Sequence, residues 1–126
     1  MTCRCVLLRH TLLDGDEHLD WFLERRPGES RLLAFRLRDR PDRPGALLAQ
    51  QLPDHRRAYL EYEGPLTLGR GVVARLDAGD CQVSQVGPDA LRVRFRFRSG
   101  WFEAMGRRLE ADSWEFSVRE GDSPAP

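Results

Sequence analysis

The chain has three histidines, His10, His18 and His55, and the residues around two of them form a pattern suited to a metal ion. In "EHLDWFLE" (17–24) polar and apolar residues alternate as on a β-strand. His18 and Asp20 therefore share one face, and Leu19, Trp21 and Leu23 share the other. His10 closes the preceding apolar run "RCVLLRH", and the polar loop "TLLDGDE" separates it from His18. If the two runs are neighbouring strands, a turn in that loop returns His10 beside His18. Two imidazoles and a carboxylate are a borderline ligand set for Mn²⁺, Zn²⁺ or Fe²⁺ and leave coordination positions open for water or substrate. One strand presents His-x-Asp without a bend. Taken singly, each histidine reads better as a satisfied structural residue, His18 with Asp20 alone reads equally well either way, and spacing alone does not place His55.

The elements that must hold these residues are short strands. "RCVLLRH" (4–10), "HLDWFLE" (18–24) and "RLLAFRLR" (31–38) are three of them, and "RRPGES" is a hairpin-like link between the second and third. "DRPDRPG" (39–45) is a loop, because two prolines and a glycine oppose regular pairing. "DHRRAYL" (54–60) has room for one helical turn. "RGVVARLDAGD" and "CQVSQVG" read as two strands joined near Ala78-Gly79, "LRVRFRFR" as the cleanest strand, "GWFEAMGRRL" as a short helical turn or irregular link, and "SWEFSV" as the closing strand. Together they predict an all-β, mostly antiparallel fold, a small single-domain barrel or sandwich with at most short helical turns. Residues 1–119 form the domain and 120–126 a fraying tail. In "LRVRFRFR", Arg92, Arg94, Arg96 and Arg98 share a face that is expected to be solvent-exposed, opposite buried Val93, Phe95 and Phe97. A row of that spacing either tracks a nucleic-acid backbone or is a solvated outer face guarding a sheet edge.

Composition narrows the partners. The net charge is zero and 32% of residues are charged, so no global field selects an anionic ligand. All 20 basic residues are arginine, and Lys, Ile and Asn are absent, a bias that weakens any inference from arginine to phosphate. No apolar run approaches the roughly 20 residues of a membrane span, and "CVLL" is too short for a signal-peptide core. A cytoplasmic monomer without a membrane partner is expected. Three cysteines, Cys3, Cys5 and Cys81, form neither an even disulfide set nor paired zinc ligands and read as buried strand thiols. Walker A, HExxH and GxSxG patterns are absent.

Taken together, "VLLRH…HLDWFLE" and "LPDHRRAYLEYEGP" (52–65) resemble the 3′-phosphoesterase domain of bacterial DNA ligase D and its small stand-alone relatives. The resemblance covers roughly residues 5–24 and 52–65 and implies a small β-barrel. It makes His10, His18 and Asp20 the ligands of a divalent metal, Mn²⁺ foremost and Zn²⁺ or Fe²⁺ as alternatives. It makes His55 and Tyr59 the catalytic pair on the substrate phosphate, and it matches Glu63-Gly64 to the family's Glu-Gly. The implied activity is metal-dependent removal of a 3′-phosphate or 3′-ribonucleotide from DNA or RNA, in DNA repair, with a nucleic-acid 3′ end as partner. Two family arginines that hold the phosphate have no match here. Phe22 occupies one position, and the apolar "GALLAQ" (45–50) covers the other. Arg36, Arg56 and Arg57 are the candidates to replace them at the substrate. The loop between His10 and His18 is also longer than the family's. A metal- or nucleic-acid-end-binding module without catalysis is the alternative that Phe22 favours. A non-haem Fe(II) oxygenase uses a similar triad, but its double-stranded β-helix needs a longer chain.

Overall fold

Alternating apolar side chains give each segment one face to bury, and the chain satisfies them all by curling a single antiparallel sheet closed. The computed structural model describes residues 2–123. Its strands are β1 (Cys3–Thr11), β2 (Glu17–Leu23), β3 (Arg31–Leu37), β4 (Gly45–Arg56), β5 (Gly64–Pro65), β6 (Val72–Gly87), β7 (Ala90–Phe97), β8 (Gly100–Glu110) and β9 (Ser113–Glu120). Two 3-10 turns, Arg57–Leu60 and Thr67–Gly69, lie between β4 and β6. The strand order is β1-β2-β3-β4-β9-β8-β7-β6-β5, and β1 also pairs with β6. All strands but the two-residue β5 therefore form a closed ring, the expected barrel, which removes the open edges of the sheet. No helix among the described residues is long and apolar enough to cross a membrane.

Side chains fill the barrel. Trp21 packs edge-on against Phe95 and Phe116, with ring centroids 5.0 and 5.8 Å apart, and Phe35 packs edge-on against Phe116 at 5.1 Å. Cys3, Cys5, Leu7, Leu23, Leu33, Phe97, Phe102 and Trp114 belong to the same interior cluster. A ring of this size leaves just the space that side chains occupy. One end is stoppered by the predicted 39–45 loop. Arg40 reaches the buried Asp77 of β6 (Nη2 to Oδ2, 2.7 Å) while also holding Asp42 (Nε to Oδ1, 2.9 Å).

A second, smaller apolar cluster lies outside the barrel wall. Val6 and Leu8 of β1, Phe22 of β2, and Leu32 and Ala34 of β3 face outwards, yet they are buried together with Leu60 and with Val73 of β6, and Leu52, Tyr59 and Leu66 lie at the margin. The stretch between β4 and β6 thus acts as a lid over three strands. "CVLL" is apolar on both faces for this reason: one face meets the barrel interior and the other meets the lid.

Three expectations are corrected. "GWFEAMGRRL" is not a helical turn but most of β8. "RGVVARLDAGD" and "CQVSQVG" are not two strands, because β6 runs 16 residues without a break. Gly79 marks a close approach: a Cβ there would lie 1.7 Å from the Arg96 carbonyl oxygen. The arginine row is only partly exposed, with Arg92 and Arg94 half-buried and Arg96 and Arg98 open. Three of its four charges are spent on neighbours: Arg94 on Glu103 (3.2 Å), Arg96 on Asp80 (2.9 Å) and Arg98 on the Leu76 carbonyl (3.0 Å) and Asp77 (3.9 Å). Val93, Phe95 and Phe97 are buried as expected. β9 runs through Glu120, and the Gly121 N–H donates to the Trp101 carbonyl at 2.9 Å. Of the segment read as a tail, residues 124–126 lie outside the described residues.

Candidate functional site

The β1–β2 hairpin places His10 directly opposite His18 and Leu8 opposite Asp20. Opposed residues share a face, and so do residues two apart, so His10, His18 and Asp20 gather on the outer wall of the barrel. The imidazoles of His10 and His18 meet edge to face with centroids 5.3 Å apart. His10 Nδ1 lies 3.8 Å from Asp20 Oδ2, and the Asp20 side chain is almost wholly buried. The next strand sets Arg36 opposite Asp20, with Nε 3.5 Å from Oδ1.

His10 is oriented from behind. Its Nε2–H donates to the Arg70 carbonyl oxygen at 2.6 Å, which leaves Nδ1 towards Asp20. Such a carbonyl contact behind a ring is how proteins fix the tautomer of a metal-binding imidazole. Arg70 is carried to this point by the turn after Thr67–Gly69, where Gly71 (φ +97°) passes so close to β1 that a Cβ would meet the Thr11 carbonyl oxygen at 2.1 Å. The sequence reading missed this support, and "LGRG", with glycines on both sides of Arg70, was its only trace.

His10 Nδ1 and Asp20 Oδ2 at 3.8 Å form an ion pair when Nδ1 carries a proton, and a cation between them would serve the same balance of charge. Ligand distances of about 2.0–2.2 Å put two donors of a tetrahedral ion about 3.3–3.6 Å apart, so this pair would share a cation after closing by a few tenths of an ångström. The donor chemistry suits a borderline divalent ion. Among the described residues, however, no three His, Cys, Asp or Glu side chains stand as a complete ready-made metal-binding group. His18 flanks the pair without completing such a set.

His55 reaches the same wall by a different device. β4 carries an extra residue opposite β3, since Ala34 pairs with Leu52 but Leu32 pairs with His55. This bulge at Pro53-Asp54 shifts the alternation by one and turns His55 outwards. The His55 ring stacks on Phe22 with centroids 4.8 Å apart, and Tyr59 meets it at 5.6 Å. His55 Nδ1–H donates to the Pro53 carbonyl at 2.7 Å, so Nε2 is the ring nitrogen left to meet a ligand. Phe22 follows Asp20 by two residues, so the ring on which His55 lies is one same-face step, about 6.6–6.8 Å of strand, from Asp20.

The three candidate arginines separate. Arg36 stands beside Asp20, at the edge of a cleft of about 730 Å³ that also exposes His18, Arg38, Gln50 and Leu48. Arg56 ends β4 next to His55 and is exposed. Arg57 is bound to Glu24 and also donates to the Glu29 carbonyl, so it is committed to the fold. Glu24 additionally accepts the N–H groups of Arg4 and Gly28, both at 2.7 Å. Burial alone would raise its pKa, but the hydrogen bonds from Arg57, Gly28 and Arg4 outweigh burial and hold the carboxyl below its ordinary range.

No protein-family model matches this chain, and no curated protein matches it.

Proposed function

We propose that the chain is a divalent-metal-dependent phosphoesterase acting on the 3′ end of a DNA or RNA strand, with Mn²⁺ as the preferred ion. The observation that carries this is the meeting of His10 and Asp20, with His18 beside them, on the wall that also presents His55 and Tyr59. When bound, the ion supplies Lewis-acid charge and a more acidic water. His10 offers Nδ1 with its other nitrogen anchored, and Asp20 offers Oδ2 while Arg36 offsets the charge on Oδ1. His55, in its protonated form, presents Nε2–H and Tyr59 its hydroxyl to a phosphate oxygen one step along the wall, where donors aimed at developing charge lower the barrier. Arg36 and Arg56 are the cations placed to neutralise the remaining oxygens.

The test is a primer–template bearing a 3′-phosphate or a terminal ribonucleotide, incubated with purified protein and Mn²⁺. Slow release is expected, lost in Asp20→Ala together with Mn²⁺ binding, and reduced about 10²–10³-fold in His55→Ala with Mn²⁺ binding retained. Metal-loaded protein that releases nothing from either substrate overturns the enzymatic function. A second function then takes over, a metal- or nucleic-acid-end-binding module. It is favoured by Phe22, an apolar ring lying on His55 where the resembled family has a phosphate-binding arginine.

A further inference from the structure

All three cysteines project into one end of the barrel, and two of them face each other across its closing seam. β1 and β6 form that seam, and Cys3 is directly opposite Cys81 in its register while Cys5 is opposite Gly79. We infer that Cys3 and Cys81 are an oxidisable pair that forms a cross-strand disulfide and locks the barrel shut at the β1–β6 seam.

Backbone geometry selects this pair. Opposed residues in an antiparallel ladder have Cα atoms about 4.5 or 5.5 Å apart, depending on the type of pair, and both values lie within the range a disulfide spans. Cys5 sits diagonally from Cys81. It is near enough for the two thiols to interact, but diagonal Cα atoms stand about 7–8 Å apart, beyond that range. The Cys81 thiol is held in the seam by donation to the Arg4 carbonyl (3.3 Å) and the Glu24 carbonyl (3.6 Å). Access also favours the opposed pair. A cleft of about 260 Å³, bordered by Thr2, Arg25 and Trp101, reaches Cys3 and Cys81 but is not lined by Cys5.

The oxidant is a hydroperoxide. The Cys3 thiolate attacks one peroxide oxygen, the O–O bond breaks, and a sulfenic acid and water (or an alcohol) result. The Cys81 sulfur then displaces the sulfenic oxygen as water, closing the S–S bond. Two S–H bonds are lost, and the two electrons go to the peroxide. The first step is slow at neutral pH. Burial first, then the neighbouring Cys81 thiol and the carboxylates of Glu24 and Glu29, push the Cys3 thiol up to about 11, against a smaller pull from the terminal amine. Arg4 on β1, Arg25 after β2 and Asp80 on β6 are the other charged groups around this end. The seam therefore stays reduced under brief exposure and closes under sustained or alkaline oxidation.

The experiment treats the folded full chain with hydrogen peroxide at about pH 9, where the Cys3 thiolate is about a hundredfold more abundant than at about pH 7. Trypsin cuts at Arg4, between Cys3 and Cys5, so peptide mapping under non-reducing conditions identifies the partner of Cys81. The expected product loses the mass of two hydrogens and links Cys3 to Cys81. It forms at least tenfold faster at the higher pH, forms equally in Cys5→Ser, and melts several degrees higher than the reduced protein. Three free thiols after treatment, oxygen addition without a bridge, or a bridge through Cys5 would each overturn the inference. Mapping on the wild-type chain decides it even if a serine variant fails to fold.

Discussion

Asp20 owes its position to period-two alternation, the feature most easily read from residue order. Once "EHLDWFLE" is taken as a strand and "RCVLLRH" as its neighbour, His10, His18 and Asp20 must share a face, and they do. His55 was not legible in that way, because its face depends on one extra residue in β4 and Pro53 alone does not announce a bulge. Nor was the Arg57–Glu24 pair, which joins residues distant in the chain. Phe22 illustrates a further limit of residue-by-residue comparison. The resemblance calls for arginine there, but the ring is 2% exposed and belongs to the cluster beneath the lid. Phe22→Arg is therefore expected to destabilise the fold by about 3–5 kcal/mol, the scale of losing a buried aromatic ring, and to leave 3′-end activity no higher than wild type. Urea unfolding and the primer assay on the same preparation check both parts; a stable variant with raised turnover would restore position 22 to the phosphate clamp.

At the scale of elements, strands were legible where barrel packing asked for large apolar residues inside. "LRVRFRFR" alternates cleanly because Val93, Phe95 and Phe97 all face the interior. β8 was illegible because, beyond Phe102, its inward positions had to be small: Ala104 is buried, and a Cβ on Gly106 would meet the Phe116 ring at 2.4 Å. Its larger Trp101 and Met105 stay partly exposed, so the apolar pattern inverts. β6 misled for a related reason. "DAGD" has turn composition, yet Asp77 bonds to the barrel stopper and Gly79 yields space to β7. Gly79→Ala should thus cost at least about 1–3 kcal/mol, because the obstructing atom is a backbone oxygen with little freedom to move. The loss is to be read from the urea midpoint, with faster amide exchange at β6 and β7 as its local signature. An unchanged midpoint would mean that the two strands are free to separate at that corner.

Across the whole molecule, three buried carboxylates pin separate parts of the barrel and together set its acid limit. Glu24 ties the lid to β1 and β2 through Arg57 and the Arg4 N–H. Asp42 fixes the end loop; burial would raise its pKa, but Arg40 and Ser99 hold it low. Glu103 on β8 is held low first by Arg119 and then, against burial, by Arg94. Each folded pKa lies below its unfolded value, so the unfolded chain takes up protons first as the solution is acidified. The stabilisation is fully present above the ordinary values of 4.5 for glutamate and 3.8 for aspartate, and it is lost as pH falls through the lower folded values. The urea midpoint should stay level between about pH 7 and pH 5 and drop steadily below about pH 4.5. Glu24→Gln should lower stability near neutrality by about 1–3 kcal/mol, since it leaves the part-buried Arg4 and Gly28 N–H groups weaker partners while Arg57 turns to water. The same variant should show a shallower acid limb than wild type, because one of the three proton-linked groups is gone. The three sites share no partner, so the Asp42 and Glu103 contributions should persist unchanged in it. An acid limb as steep in Glu24→Gln as in wild type would take Glu24 out of the acid response and leave the lid held by apolar burial alone.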